Sequence, residues 1–216
     1  MEREKADMKL YDWHAAPNPK RVRMFLVEKD LDLTIVEVSG DNLRLRADYI
    51  EKFPQAMVPM LELPDGRQIG ESMAICRYLE ELHPAPPMLG RNAYERAIVD
   101  MWERRAFDEG MMAAGEVFRN TADAFRDRGL PGFATPVPQI PALAERGRER
   151  LGHFFRKFDR QLGAQRFIAG EHFTVADCTA FCSIEFAGWS DIGIPSDCGN
   201  LLRWHREVSA RPSARA

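Results

Sequence analysis

Residues 83–90 read His-Pro-Ala-Pro-Pro-Met-Leu-Gly, three prolines in eight positions. Proline has no backbone N–H and a fixed φ, so this run neither continues a helix nor joins the interior of a sheet; it is a stiff, extended connector. The residue pattern changes across it. Strand and helix signals alternate ahead of it, and only helical periodicity comes after. The expectation is two parts: an α/β domain over 8–84 and an all-α domain over 92–216, joined by a linker at 85–91.

Within the first part, Lys9–Trp13 is a short run ending in aromatics, and Leu33–Val38 is rich in β-branched residues; both read as strands. Between them, Pro19–Asp30 reads as a helix with Val22, Phe25, Leu26 and Lys29 on one face. Two strands around one helix form a right-handed crossover, so they should run parallel. Pro59–Leu63 and Gln68–Ile69 flank the turn signal Pro64-Asp65-Gly66 and read as a hairpin. Ser72–Leu82 comes next as a helix, with Ala74, Ile75, Tyr78 and Leu79 inward. In the second part a long helical segment runs from Asn92 to about Asn120. A proline-rich loop, Leu130–Pro141, precedes helices over about 142–164, 175–190 and 199–209.

Composition narrows the function classes. With 45% hydrophobic and 29% charged residues, the 216-residue chain has a globular profile, and no apolar run approaches the roughly 20 residues of a membrane span. No export signal opens it, so a cytoplasmic protein is expected. Residues 1–90 carry 12 basic and 16 acidic residues and the remainder 18 and 17. Neither part has the basic footprint of nucleic-acid binding. The four cysteines, Cys76, Cys178, Cys182 and Cys198, include no C-x-x-C pair and read as reduced thiols, with Cys178 and Cys182 in a helical core. The five histidines lack ligand spacing, so no metal site is expected.

Three places carry chemistry under one reading and local structure under another. In Ala16-Pro17-Asn18-Pro19, Asn18 is an N-cap ahead of a helix-starting proline; equally, the helix N-terminus presents N–H groups and positive potential to a thiolate or phosphate, with the Asn18 amide as an added donor. No Cys, Ser, Thr or Tyr lies between His14 and Pro19, so a nucleophilic sulfur there has to arrive with a ligand. Val58-Pro59 opens a strand, either with an ordinary trans proline or with a cis-proline that turns the Val58 N–H and C=O toward a cysteine-containing ligand. Glu71-Ser72 either caps the next helix or suits an amino-acid zwitterion, with Ser72 and helix N–H groups on the carboxylate and Glu71 on the ammonium. Phe173-Thr174-Val175-Ala176-Asp177 is a capping box behind a hydrophobic residue, assigned to folding. Arg105 falls on the stripe of Ile98, Met101, Trp102 and Met112; it either holds a ligand carboxylate or, the preferred reading, serves structure. Arg119 is a vaguer candidate of the same kind.

In this order and spacing, the A-P-N-P-K-R-V-R helix start, the V-P strand, the E-S-M-A-I-C-R-Y-L-E-E helix, the proline linker and F-T-V-A-D resemble the soluble glutathione S-transferase superfamily over nearly the whole chain. The resemblance implies a thioredoxin-like N-terminal domain (βαβαββα) that holds glutathione, followed by an all-helical domain that shapes a hydrophobic second-substrate pocket. A homodimer is implied as well. Carried over by position, Val58, Glu71 and Ser72 match glutathione-binding positions and Pro59 the cis-proline. A-P-N looks like the T-P-N of bacterial Nu-class enzymes, in which the asparagine faces the glutathione sulfur, so Asn18 is the expected catalytic group. Ala16 replaces the hydroxyl residue of that motif. Met57 stands where many relatives carry Gln or Lys, and Phe53 where many carry Asn.

The resulting expectation is a glutathione-dependent enzyme in which bound thiolate attacks a small hydrophobic electrophile or a disulfide held near Met101, Arg105, Met112 and Phe118. The alternatives are a non-catalytic module of the same fold and, ranked last because the first loop lacks S-S-C-S, a maleylacetoacetate-type isomerase.

Overall fold

A computed structural model describes residues 8–38, 49–53, 57–130 and 135–216. The chain divides into two compact units, one running to Pro86 and the other spanning Pro87–Ala214.

The first unit is built on a four-stranded mixed sheet of order β2-β1-β3-β4. Strand β1 (Lys9–Asp12) leads through a short loop into helix α1 (Pro17–Glu28), which returns to β2 (Thr34–Glu37). Strands β1 and β2 are parallel in the register Leu10↔Ile35, as a crossover requires. Strand β3 (Met60–Glu62) runs antiparallel to β1, with Leu10↔Leu61 and Tyr11↔Met60, and pairs with β4 (Gln68–Gly70) as a hairpin. Gly66, at φ 83°, makes the hairpin turn. Helix α2 (Ser72–Leu82) packs on β3, β4 and α1. The helix expected between β2 and β3 lies largely outside the described residues; residues 49–52 are helical.

Strand alternation divides the core. Tyr11 and Met60 point to a layer made with Val38, Tyr49 and Phe53, in which Phe53 meets Tyr11 edge-on at 4.9 Å. Phe53 is thus a core residue. Leu10 and Leu61 point the other way and, like Val22 and Phe25 of α1 and Ile75 and Leu79 of α2, are wholly enclosed. On α2, Cys76 is buried while Ala74 and Tyr78 are only partly so. Lys29 is inside as expected, its ammonium spent on Glu80 and on the carbonyls of His83 and Pro86, which fastens the end of α1 to the proline run.

The second unit is helical. Helix α3 (Ala93–Arg105) passes through a π-helical turn, Ala106–Met111, into α4 (Met112–Thr121), then α5 (Pro141–Ala164), α6 (Val175–Gly188) and α7 (Gly199–Ser209). The last three match the expected ranges within two residues. Along the long first segment Val99, Trp102, Glu103 and Ala106 are buried, whereas Ile98 and Met101 of the expected stripe are only partly so and Tyr94 is 75% exposed. The extra residue of the π-turn then rotates the helix beyond it, so Met111 turns inward and Met112 is 45% exposed. Two glycines permit the close crossings: a Cβ on Gly110 would lie 2.9 Å from Phe154, and one on Gly147 2.9 Å from the Ala113 carbonyl.

The capping box is present at the start of α6. Asp177 is wholly enclosed and accepts from the Thr174 N–H and hydroxyl, the Ile168 N–H and the indole N–H of Trp204, so one carboxylate joins three segments of the helical core. Cys178 and Cys182 are buried thiols in the same helix. Burial pushes the Asp177 carboxyl up to about 6, against hydrogen bonds that favour its anion. Because that value lies above the unfolded value of about 3.9, the native state holds the proton more tightly, and this group's contribution to stability falls as pH rises through roughly 4 to 6. Asp177→Ala strands at least three buried donors. It is expected to lower the unfolding free energy at pH 7 by about 3 kcal/mol in urea denaturation, and by more at pH 4.5. A loss under about 1 kcal/mol at both pH values would contradict the anchoring role.

Candidate active site

The loop between β1 and α1 is fixed from below by a buried ion pair. Asp12 ends β1, and Arg23, one turn and a half into α1, places Nη1 2.7 and 2.5 Å from its two carboxylate oxygens; Arg23 Nη2 donates to the His14 carbonyl at 2.8 Å. Burial raises the Asp12 carboxyl from its ordinary value even though Arg23 pulls the other way. The His14 N–H donates to Glu37 on β2, and the Ala16 N–H to the Trp13 carbonyl. The residues between strand and helix are therefore held at several points.

Helix α1 begins two residues earlier than expected. Ala16 is its N-cap and makes no side-chain cap, so Asn18 lies inside the first turn rather than capping it. The reason is that no first-turn N–H has an intrahelical partner, so proline is tolerated there at both Pro17 and Pro19. Both prolines lack an N–H and the Lys20 N–H is bonded to the Ala16 carbonyl, so the first turn offers a ligand only the Asn18 backbone N–H and side-chain amide.

At the second candidate, the Val58–Pro59 peptide is cis. Val58 precedes the first laddered residue of β3, Met60, so its N–H and C=O take no part in pairing with β1 or β4. The Tyr49 hydroxyl donates to the carbonyl of the neighbouring Met57, whose side chain is exposed.

At the third, Glu71 is the N-cap of α2, and Ser72 is its first helical residue rather than its cap. Glu71 has φ 61°, a left-handed conformation that is costly for a non-glycine residue, and its side chain is exposed. No side chain caps the first-turn N–H groups of α2, which leaves them facing outward with the positive end of the helix dipole.

Sequence reasoning overlooked what joins these places. Arg21 is 2% exposed, and its Nη2 donates both to Asn18 Oδ1 at 3.0 Å and to Ser72 Oγ. Two of the expected ligand-binding residues, 54 positions apart, thus share one guanidinium nitrogen. The signal was in K-R-V-R, where two arginines bracket the buried Val22; on an amphipathic helix such charges read as a solvated face.

In the helical unit the expected pocket residues are spread out. Met101 and Arg105 are half-buried, with the Arg105 guanidinium 4.8 Å from the Trp102 ring centre, a structural stacking contact. Phe118 belongs to an aromatic cluster, 5.2 to 5.5 Å from Phe125, Phe186 and Trp189. Burial lowers the affinity of Arg119, beside it in sequence, for its proton. Among the described residues no group of His, Cys, Asp or Glu is arranged to hold a metal ion, and no helix is long and apolar enough to cross a membrane.

A thioredoxin-like sheet with a cis-proline before β3, followed by a helical unit, defines a class of two-part proteins. Comparison with known proteins makes the family specific. Residues 10–87 match the model of the glutathione S-transferase N-terminal domain and residues 141–207 that of the C-terminal domain. Glutathione S-transferase 2 of Saccharomyces cerevisiae is 30% identical over 99% of this chain and 91% of its own length. Among solved structures, a glutathione S-transferase domain-containing protein of Marinobacter aquaeolei superposes with a TM-score of 0.84 at 34% identity, covering 95% of this chain and 98% of that one. A glutathione S-transferase of class Gtt2 from Vibrio parahaemolyticus gives 0.79 at 33%, covering 96% of each. The chain belongs to the glutathione S-transferase superfamily.

Removing one partner of the Asp12–Arg23 pair leaves a buried charge unmatched. Asp12→Ala is expected to cost about 3 kcal/mol or more, whereas the apolar double replacement Asp12→Leu with Arg23→Met recovers most of it. Chemical denaturation of both variants beside the wild type checks this; equal losses in the single and double variants would contradict it.

Proposed function

We propose that this protein is a glutathione transferase whose bound glutathione thiolate attacks either an electrophilic carbon or a disulfide. The observation that carries the reading is the convergence of Asn18 and Ser72 on Arg21 within a unit of this family. Asn18 is assigned to the sulfur, and Ser72 with the first-turn N–H groups of α2 to the γ-glutamyl α-carboxylate. Glu71 takes its ammonium. Val58, ahead of the cis-Pro59, pairs its free N–H and C=O with the cysteinyl backbone as a strand would.

Mechanistically, the Asn18 amide and backbone N–H stabilise the thiolate, lowering the cost of deprotonating the thiol. In conjugation the thiolate forms a C–S bond and expels the electrophile's leaving group with its electron pair, or adds across an activated double bond that then takes a proton. In reduction it attacks one disulfide sulfur and releases the other as thiolate. A second glutathione then resolves the mixed disulfide, so two glutathiones are oxidised for each disulfide reduced. Ala16 supplies no hydroxyl and the loop no cysteine, which favours reduction, where glutathione supplies both sulfurs. Met101, Arg105, Met112 and Phe118 are assigned to the second-substrate side. The family's usual form, a cytoplasmic homodimer, is adopted here as well.

The same absence of a hydroxyl at Ala16 supports one second reading, a glutathione-binding module without turnover. Retention on glutathione resin with no turnover of an aryl halide, an isothiocyanate or hydroxyethyl disulfide would establish it.

Loss of a hydrogen bond to a charged group costs roughly 1.5–3 kcal/mol, so Asn18→Ala is expected to lower kcat by about 10- to 150-fold while raising the glutathione KM less. Unchanged kcat would remove Asn18 from the mechanism. A glutathione-bound crystal structure with the sulfur nearer His14 or Cys76 than Asn18 would overturn the site.

A further inference from the structure

An arginine Nη carries two hydrogens, and Arg21 Nη2 has two acceptors, Asn18 Oδ1 and Ser72 Oγ. The guanidinium only donates. Toward Asn18 this settles which end of the carboxamide it meets: the oxygen faces Arg21, and the Nδ2 group, with two donor hydrogens, is turned away. Toward Ser72 it settles the hydroxyl. An oxygen that accepts from Arg21 keeps its own hydrogen for another acceptor. Both side chains are thereby poised as donors, and they suit an acceptor or anion. Asn18 and Arg21 are one helical turn apart on α1, while Ser72 opens α2, so a single buried side chain sets the hydrogen-bond polarity of two helix starts.

We infer that Arg21 is a positioning residue that holds the Asn18 amide and the Ser72 hydroxyl as paired donors, one for the glutathione thiolate and the other for the γ-glutamyl carboxylate. The inference rests on the glutathione reading above and deepens it. Arg21 touches neither ligand end itself. Its removal frees the amide to rotate and the hydroxyl to act as acceptor, so the sulfur end and the carboxylate end of the ligand weaken together.

Arg21→Gln and Asn18→Ala, singly and combined, test this in the full chain. Calorimetry gives glutathione affinity, thermal unfolding reports the fold, and kcat and KM are followed across pH with hydroxyethyl disulfide and with 1-chloro-2,4-dinitrobenzene. Arg21→Gln is expected to weaken glutathione binding and lower kcat/KM about tenfold each, as for a lost charge-assisted bond. It also moves the rise of kcat with pH to higher pH by about one unit, a readout that looser packing alone does not shift. Residues acting through one another are non-additive, so Asn18→Ala should cost less than about twofold in the Arg21→Gln background. The same fold-loss in both backgrounds, or an unmoved pH profile, overturns the inference.

Should Arg21→Gln not fold, Asn18→Asp decides. It keeps an acceptor for Arg21 and presents a carboxylate oxygen where the donor stood. It is expected to unfold no lower than the wild type and to lose more turnover than Asn18→Ala; turnover equal to or above that of Asn18→Ala overturns the inference. A wild type that binds no glutathione refutes the functional reading and this inference with it, whereas binding with an additive cycle refutes the inference alone.

Discussion

The first unit depends on the removal of two charges from water at the point where β1 gives way to α1. Taking a carboxylate and a guanidinium into a protein interior costs several kcal/mol each, and attraction offsets that only when the geometry is close and the remaining donors are used. Asp12 and Arg23 meet both conditions, through two contacts between the pair and a third from Arg23 to the His14 carbonyl. That the Asp12 carboxyl is nonetheless raised shows that desolvation still dominates. Such an arrangement is a poor way to gain stability and an effective way to gain definition. A sheet strand, a four-residue loop and a helix start are tied to one another through this pair.

That definition matters because the loop contributes so few groups. With prolines at 17 and 19 the first turn of α1 has lost two of its outward N–H groups, and the Lys20 N–H is already used. A typical helix N-terminus tolerates imprecision because several donors share an anion. Here one backbone N–H and one carboxamide are all that the first turn offers, and Arg21 from the same helix holds the carboxamide oxygen while Arg23 holds the loop ahead of it. The second helix start is the opposite case: α2 keeps its first-turn N–H groups without a side-chain cap, at the expense of a left-handed Glu71.

The regular part of this structure was legible because hydrophobic periodicity determines it. The strands, the hairpin turn at Gly66, α2, and the helices α5 to α7 are set by apolar spacing and turn residues within two positions. The illegible part has three physical causes. Proline is permitted throughout the first turn of a helix, so A-P-N-P admits two starts, and the structure takes the earlier one. A π-turn inserts a residue that no periodicity announces, which moves Met112 to the surface and Met111 inside. Buried charges look like surface charges in a sequence: Asp12, Arg21, Arg23 and Glu103 are all enclosed, and only the folded contacts that each makes reveal it. At the candidate site, Asn18 and Ser72, the residues that would meet a ligand, stand out from local pattern, while the residue that joins them does not. The Arg21–Asn18 contact spans a single helical turn, but the contact to Ser72 that links the two helix starts spans 51 positions.

Asp177 in the second unit makes the same point with the opposite sign of charge. Thr174 and Asp177 announce themselves as a capping box, yet the larger task of that carboxylate is to accept from Ile168 and Trp204, which lie outside the motif. In both units a single buried ion placed at a helix start satisfies groups on several segments, and in both the local motif reveals the ion's position but not its reach. The difference is what the ion leaves free. Asp177 uses its lone pairs on the protein itself, accepting from Thr174, Ile168 and Trp204, and closes a core. Arg21, being only a donor, satisfies oxygens and so leaves the hydrogens of an amide and a hydroxyl to be taken up by an acceptor from outside. A buried anion at a helix start completes structure, and a buried cation behind two oxygens creates a surface of donors. That asymmetry is why the proposed binding chemistry is assigned to the first unit's helix starts and not to the better-formed cap of the second.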